Sequence, residues 1–357
     1  MGRMTYEAIK TIDRSNMWEK IQELPDQLLR GWDSAVGVSI DTRPNRYDHV
    51  LFAGMGGSVV AGDFLQDLFG KRFSIPFHIV RSYTCPGFVS SRTLFLASSY
   101  SGNTEETLTA TRQALAQGAD VICVASGGDL AALAREKNLP MVVLPSGYPP
   151  RAALGYSLGV FLALVDHLNL APVSRKELEE AVSQARASVE EWSRFDFNPL
   201  PLRIAESLCH KLPVVYASVE TLQSVALRWK TQLNENSKTP VLVETLPEMN
   251  HNGIMTWDIH PGTKTVVSGF VVLLLCVLHD HPRIAKRLDL VRDLVRSHGG
   301  EVIEIFGEGT SSLTRLVHLM VLGDFVSFYL AILYNTDPTE IPLISRLKQT
   351  LQSIPMS

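Results

Sequence analysis

Thr93-Leu94-Phe95-Leu96-Ala97-Ser98-Ser99-Tyr100-Ser101-Gly102-Asn103-Thr104-Glu105-Glu106-Thr107 reads as a strand, a loop and the start of a helix. Thr93 to Ala97 is an apolar run without polar alternation, the pattern of a parallel strand buried on both faces. Thr104 to Gln117 carries the residues of a helix. Small hydroxyl residues and one glycine therefore sit where a strand ends and a helix begins. Backbone N–H groups are free at that place and the helix dipole favours an anion. Ser99, Ser101 and Thr104 add three hydroxyl donors, and the loop holds no lysine or arginine. Donors and dipole alone would hold an anion here, and a phosphate monoester fits. An ordinary N-cap by Asn103 or Thr104 explains one side chain. It does not explain Ser99 and Ser101 together at the carboxyl end of a strand, where open α/β sheets bind ligands.

The same alternation extends outward. Val50–Ala53, Phe77–Val80, Asp120–Val124 and Met141–Leu144 are further apolar strands, separated by helices over Val59–Leu68 and Leu130–Glu136 or by longer connections. Five such strands predict a doubly wound parallel sheet with helices on both faces, a flavodoxin-like three-layer unit. Trp18–Leu29 is predicted as one amphipathic helix ahead of it. Ser174-x-x-Glu177 is a capping-box signature that opens a long helix to about Trp192, and Phe195–Pro201 is a plausible boundary. Alternation then resumes. Val214–Tyr216, Val241–Val243, Thr265–Val277 and Glu301–Ile305 are predicted strands, with helices over Thr221–Leu233, Pro282–His298 and Leu313–Tyr334. The expected division is an N-terminal helical extension (1–45), a first α/β domain (46–170), a connecting helix (171–198) and a second α/β domain with C-terminal helices (199–357). The apolar Leu313–Tyr334 helix is interface or core, and core is the commoner case.

With 357 residues, two domains are the natural expectation. The formal net charge of −4 gives no reason to expect nucleic acid or an anionic membrane as partner. Cys85, Cys123, Cys209 and Cys276 are scattered, without C-x-x-C spacing, which suits a reducing cytoplasm. Met1–Glu7 is polar and lacks a signal-peptide core. The apolar run Val266–Leu278 is shorter than the roughly twenty residues of a spanning helix.

Gly54-Met55-Gly56-Gly57-Ser58 follows the first strand. A dinucleotide fingerprint needs glycine where Val59 stands, and an acidic residue at the end of the next strand, where Arg81 stands. No G-x-x-x-x-G-K-[ST] motif occurs either. What remains is either a tight strand-to-helix turn or a loop whose glycines let a ligand approach the backbone, with Ser58 at the helix start.

Glu235, flanked by Asn234 and Asn236, stands at the end of the helix from Thr221. A carboxylate positioned by amide donors without being neutralised suits a general base, although a solvated helix-end glutamate is the simpler reading of the residue by itself. His251 is likewise flanked by Asn250 and Asn252, and a surface or capping histidine is the alternative. Arg151 follows Pro149-Pro150 at the first turn of a helix, where a cation is disfavoured. It either has an anionic partner or extends into water. His279, Asp280 and His281 are weak evidence for a metal site, since a turn before Pro282 explains them.

On these segments the sequence resembles the bifunctional phosphoglucose/phosphomannose isomerase family, built from two sugar isomerase (SIS) domains. The likeness runs through Gly54–Ser58, Ser99–Thr107, Pro149–Arg151, Asn234–Lys238, Glu248–Asn252, and the run from Gly323 through Asp337-Pro338 to Lys348. The resemblance implies two SIS domains and a metal-independent, cofactor-free aldose–ketose isomerase of hexose 6-phosphates. Ser99, Ser101 and Thr104 would bind the phosphate, with Gly56, Gly57 and Ser58 near the sugar. Glu235 would shuttle the proton between C1 and C2, and Arg151 would stabilise the enediolate. His251 and Lys348 would assist ring opening, with His251 reaching in from the second subunit of a homodimer. The family usually continues Asn-His-Asn with glutamate, and this chain has Gly253. That acid would either hold the loop or order the histidine. The alternatives are an isomerase of another phosphosugar and a non-catalytic sugar-phosphate sensor.

Overall fold

A computed structural model describes residues 5–39, 45–278, 280–352 and 354, so residues 1–4 and His279 lie outside the described residues. Strands β1 (His49–Ala53), β2 (Phe77–Val80), β3 (Thr93–Ser98), β4 (Asp120–Ala125) and β5 (Met141–Val143) form the first sheet, in the order β2-β1-β3-β4-β5. Every pairing in it is parallel. β3 is buried along its whole length, which is why its sequence shows no alternation. The chain winds from β1 to β2 on one side and from β3 to β5 on the other. The switch point lies between β1 and β3, and the loops that leave their carboxyl ends are Gly54–Ser58 and Ser99–Thr104.

The helices before β1 are α1 (Tyr6–Ile12), α2 (Met17–Gln22) and α3 (Leu24–Ala35). The single helix expected over Trp18–Leu29 is therefore two. Pro25 is the reason: it lacks an N–H and fits only a first turn, so α3 starts anew there. The first sheet is flanked by α4 (Val60–Phe69), α5 (Glu105–Ala116), α6 (Gly128–Glu136) and α7 (Leu154–His167). Next comes α8 (Arg175–Trp192), whose start is capped as the sequence indicates, Ser174 Oγ accepting from Glu177 N at 3.2 Å.

After α9 (Leu200–Leu208), strands β6 (Leu212–Ser218), β7 (Leu242–Leu246), β8 (Phe270–Cys276) and β9 (Glu301–Phe306) form a second parallel sheet, in the order β7-β6-β8-β9. Its helices are α10 (Gln223–Asn236), α11 (Lys264–Val267), α12 (Pro282–Ser297), α13 (Ser312–Leu333) and α14 (Pro342–Gln352). The long strand expected over Thr265–Val277 is corrected: its first residues form α11, and the strand begins only at Phe270, after Ser268-Gly269. There the Ser268 hydroxyl donates to the Thr265 carbonyl, a local bond that competes with strand pairing.

One continuous hydrophobic cluster joins the facing sides of both sheets. It runs from Phe52 and Leu96 through α3, α4, α7, α8, α10 and α13 to Val215 and Leu273. Separate clusters cover the outer face of each sheet, so both sheets are sandwiched by helices. By length and composition α13 would cross a membrane, but 94% of its apolar window is buried inside this protein. It is a core helix, and its polar residues Asp324 and Ser327 are buried with it.

Candidate active site

The loop after β3 gathers hydroxyl groups at the start of α5. Ser99 is fully buried, and its Oγ lies 2.9 Å from Thr104 Oγ1. Thr104 precedes α5, yet its hydroxyl makes no cap bond, and among the described residues no side chain takes the first N–H groups of that helix. The hydroxyl pair, rather than an N-cap, accounts for these residues. Ser101 is exposed, and its Oγ accepts from Asn103 N at 3.3 Å. Gly102 has a φ of +74°, and a Cβ there would overlap the carbonyl oxygen of Gly127. Asn103 Oδ1 accepts from Asp129 N at 2.9 Å. These contacts fix the loop's shape.

The two loops at the switch point are bonded to each other. Ser58 Oγ accepts from Tyr100 N, and Ser98 Oγ donates to Ser58 O, both at 2.9 Å. The Ser58 hydroxyl keeps its own proton for a further acceptor. Gly56 is exposed, with a φ of +51°. Gly57 lies against the next segment, where a Cβ would stand 3.1 Å from Arg151 N and from the carbonyl carbon of Pro150.

Arg151 is 2% exposed, and its whole guanidinium is engaged. Nη1 donates to Glu235 Oε2 at 3.0 Å and Nε to Asn236 Oδ1 at 2.7 Å. Nη2 donates to the carbonyls of Pro338 at 2.7 Å and Thr339 at 3.0 Å. Burial presses its pKa down, and Glu235 opposes that. The anionic partner that its place in the chain calls for is thus Glu235. The expected role of the flanking asparagines is corrected. Asn236 gives its oxygen to Arg151 and its nitrogen to Ser327 Oγ, and Asn234 turns its amide to the carbonyls of Thr239 and Lys230. The carboxylate of Glu235 is held by a cation instead, and it remains partly open at 24% exposure.

A buried layer beneath the pair was not read from the sequence. Arg228 forms an ion pair with Asp324, Nη2 to Oδ2 at 2.8 Å and Nε to Oδ1 at 3.1 Å, and also donates to the Arg151 carbonyl at 2.7 Å. Gln232 Nε2 donates to Asp324 Oδ1 at 2.8 Å. Removing one partner of such a pair costs about 3–5 kcal/mol, because the other charge stays buried. The signal was present: Arg228, Gln232 and Glu235 are polar residues one turn apart on one face of α10. Lys238 follows the same helix, its Nζ donating to the carbonyls of Glu235 at 2.9 Å and Asp337 at 2.7 Å.

His251 and Lys348 are placed differently. His251 is exposed in the turn Glu248–His251, and Lys348 is exposed on α14. No hydrogen bond or ion pair among the described residues joins either side chain to the Arg151–Glu235 pair. Asp280 accepts from the hydroxyls of Ser218 and Thr221, and His281 Nδ1 accepts from Arg283 N as a helix cap. Among the described residues no group of three or more His, Cys, Asp or Glu is arranged as a metal site.

Two parallel α/β units, with a hydroxyl-lined loop at the switch point of the first and a buried Arg–Glu pair between them, have the architecture of the sugar isomerase class. A solved structure of a hypothetical protein from Thermus thermophilus has the same fold, with a TM-score of 0.76 at 17% identity over 98% of this chain and 94% of its own. The bacterial phospho-glucose isomerase C-terminal SIS domain family matches residues 199–351. A bifunctional phosphoglucose/phosphomannose isomerase of Caldicellulosiruptor bescii is 36% identical over 340 residues, covering 95% of this chain and 99% of its own. The chain belongs to the bifunctional phosphoglucose/phosphomannose isomerase family. A D-glucosamine-6-phosphate 4-epimerase of Sulfolobus acidocaldarius is also 33% identical, over 61% of this chain and 67% of its own.

Proposed function

We propose that this protein interconverts glucose 6-phosphate, and mannose 6-phosphate, with fructose 6-phosphate through a cis-enediolate. It acts without a metal, as a cytoplasmic homodimer of chains that each carry two SIS domains, divided at residues 171–198. The observation that carries this reading is the contact between Arg151 Nη1 and Glu235 Oε2 beside the Gly57 backbone.

The phosphate sits on Ser99, Ser101, Thr104 and the first turn of α5, with the sugar against Gly56, Gly57 and Ser58. That anchor supplies binding energy for orientation without touching the reacting carbons. His251, from a second copy of the chain, and Lys348 move the ring-opening protons between O5 and O1. Glu235 then takes the proton from C2, and the electron pair forms the C1–C2 double bond as O1 gains charge. The O2 proton passes to O1, and Glu235 returns its proton to C1, leaving the ketone at C2.

The ion pair gives this sequence an electrostatic logic. When Glu235 takes the proton it becomes neutral, at the moment that negative charge appears on the substrate. Arg151 exchanges one anion for the other, so its buried charge is never without a partner.

A coupled assay on both hexose 6-phosphates, with and without chelator, tests the proposal. Turnover of both that is indifferent to chelator is expected. Binding without turnover would instead mark a sensor, and 4-epimerisation of glucosamine 6-phosphate would mark the other named chemistry.

A further inference from the structure

The loop that carries His251 lacks an acid at position 253, but the structure puts a carboxylate there from elsewhere. A Cβ on Gly253 would overlap both carboxylate oxygens and the Cδ of Glu244. The end of the Glu244 side chain is seated directly on the Cα of Gly253, and no side chain larger than hydrogen fits while it is there.

Glu244 is firmly delivered. It lies in β7 opposite Tyr216 of β6. The loop beyond is pinned at two points to the same face of that sheet. Leu246 and Met249 are buried in the outer cluster, and Trp257 Nε1 donates to Tyr216 Oη at 3.0 Å. Between the pins, both neighbours of His251 are tied. Asn250 Oδ1 accepts from Arg287 Nη1, and Asn252 Nδ2 donates to Glu248 Oε1, both at 2.9 Å. His251 is left pointing outward between two anchored residues. Glu244 itself accepts no hydrogen bond among the described residues, and partial burial raises its pKa. A carboxylate kept at the margin of the core without a donor gains nothing for stability, which argues for a role in the loop it touches.

We propose that Glu244 is a positioning residue for His251, supplying from β7 the carboxylate that the loop does not carry at position 253. The inference rests on His251 as the ring-opening group. Glu244 sets the conformation of the loop by filling the space over Gly253 and places a negative charge beside it.

The test separates ring opening from proton transfer. Exchange between the α and β anomers of glucose 6-phosphate, followed by NMR, reports the first, and loss of C2 deuterium to solvent reports the second. Four variants of the full chain are compared: Glu244→Gln, Glu244→Ala, Glu244→Ala/Gly253→Ala and Glu244→Ala/Gly253→Glu, with melting curves to confirm folding. Glu244→Gln should slow anomer exchange about tenfold or more. The variant with glutamate at 253 should recover most of that exchange, whereas the alanine pair should not. Glu244→Gln within twofold of the parent, or equal rates in the two double variants, would overturn the proposal. If His251→Ala leaves anomer exchange intact, the reading of His251 fails instead, and Glu244→Gln reports on the loop alone.

Discussion

Arg151 and Glu235, 84 residues apart in the chain, meet in a 3.0 Å ion pair whose cation is buried and whose carboxylate is partly open. The arginine belongs to the segment before α7, and the glutamate to the last turn of α10. The pair therefore exists only because the two α/β units pack as they do.

Arg151→Lys tests the fork. A lysine keeps the charge but cannot reach Glu235, Asn236 and the carbonyls of Pro338 and Thr339 together. Activity should fall by about two orders of magnitude or more, and stability by about 1–3 kcal/mol for the buried acceptors left without donors. Steady-state kinetics and denaturant midpoints read the two effects separately.

Ser99→Ala and Thr104→Ala should raise KM for hexose 6-phosphates and weaken inhibition by inorganic phosphate, with kcat nearly kept. Contacts to a phosphate remote from C1 and C2 are equally strong in ground and transition states. A fall in kcat with unchanged KM would place these hydroxyls nearer the chemistry.

Asp67 on α4 predicts a pH dependence. Its Oδ2 accepts from Ser224 N at 2.7 Å and Ser224 Oγ at 2.6 Å, which caps the start of α10 from the other α/β unit. Burial raises its pKa to about 7, and the Ser224 bonds oppose that. Between about pH 4 and pH 7 the folded protein thus holds a proton that the unfolded chain releases. Its contribution to stability is full below the unfolded pKa and is lost as pH rises through about 7, by up to about 1.4 kcal/mol per pH unit. Asp67→Asn, which keeps an acceptor for Ser224, should flatten this slope in unfolding free energies compared at about pH 5 and about pH 8.

The first sheet is legible in the sequence because buried parallel strands are uninterrupted apolar runs, and Leu94–Ala97 shows nothing else. Strand β7 is half legible: Val241–Val243 reads as a short strand, and its continuation through Glu244 and Thr245 at the sheet edge does not. The hydroxyl loop shows itself through Ser99 and Ser101. The partners of Arg151 do not, because contacts between distant segments leave no local pattern. The flanking asparagines mislead for the same reason: neighbours in sequence at the end of α10 point to different sides. Glu244 is invisible beforehand, because its meaning depends on the missing side chain of Gly253.

Glu235→Gln tests the central claim most directly. Glutamine keeps the size and accepts from Arg151 but cannot take a proton from carbon. Loss of both isomerisation and C2 deuterium exchange, with hexose 6-phosphate still bound at nearly unchanged affinity, is the predicted result. A Glu235→Gln protein that still exchanges the C2 proton at a rate near that of the parent would contradict the assignment of Glu235 as the base.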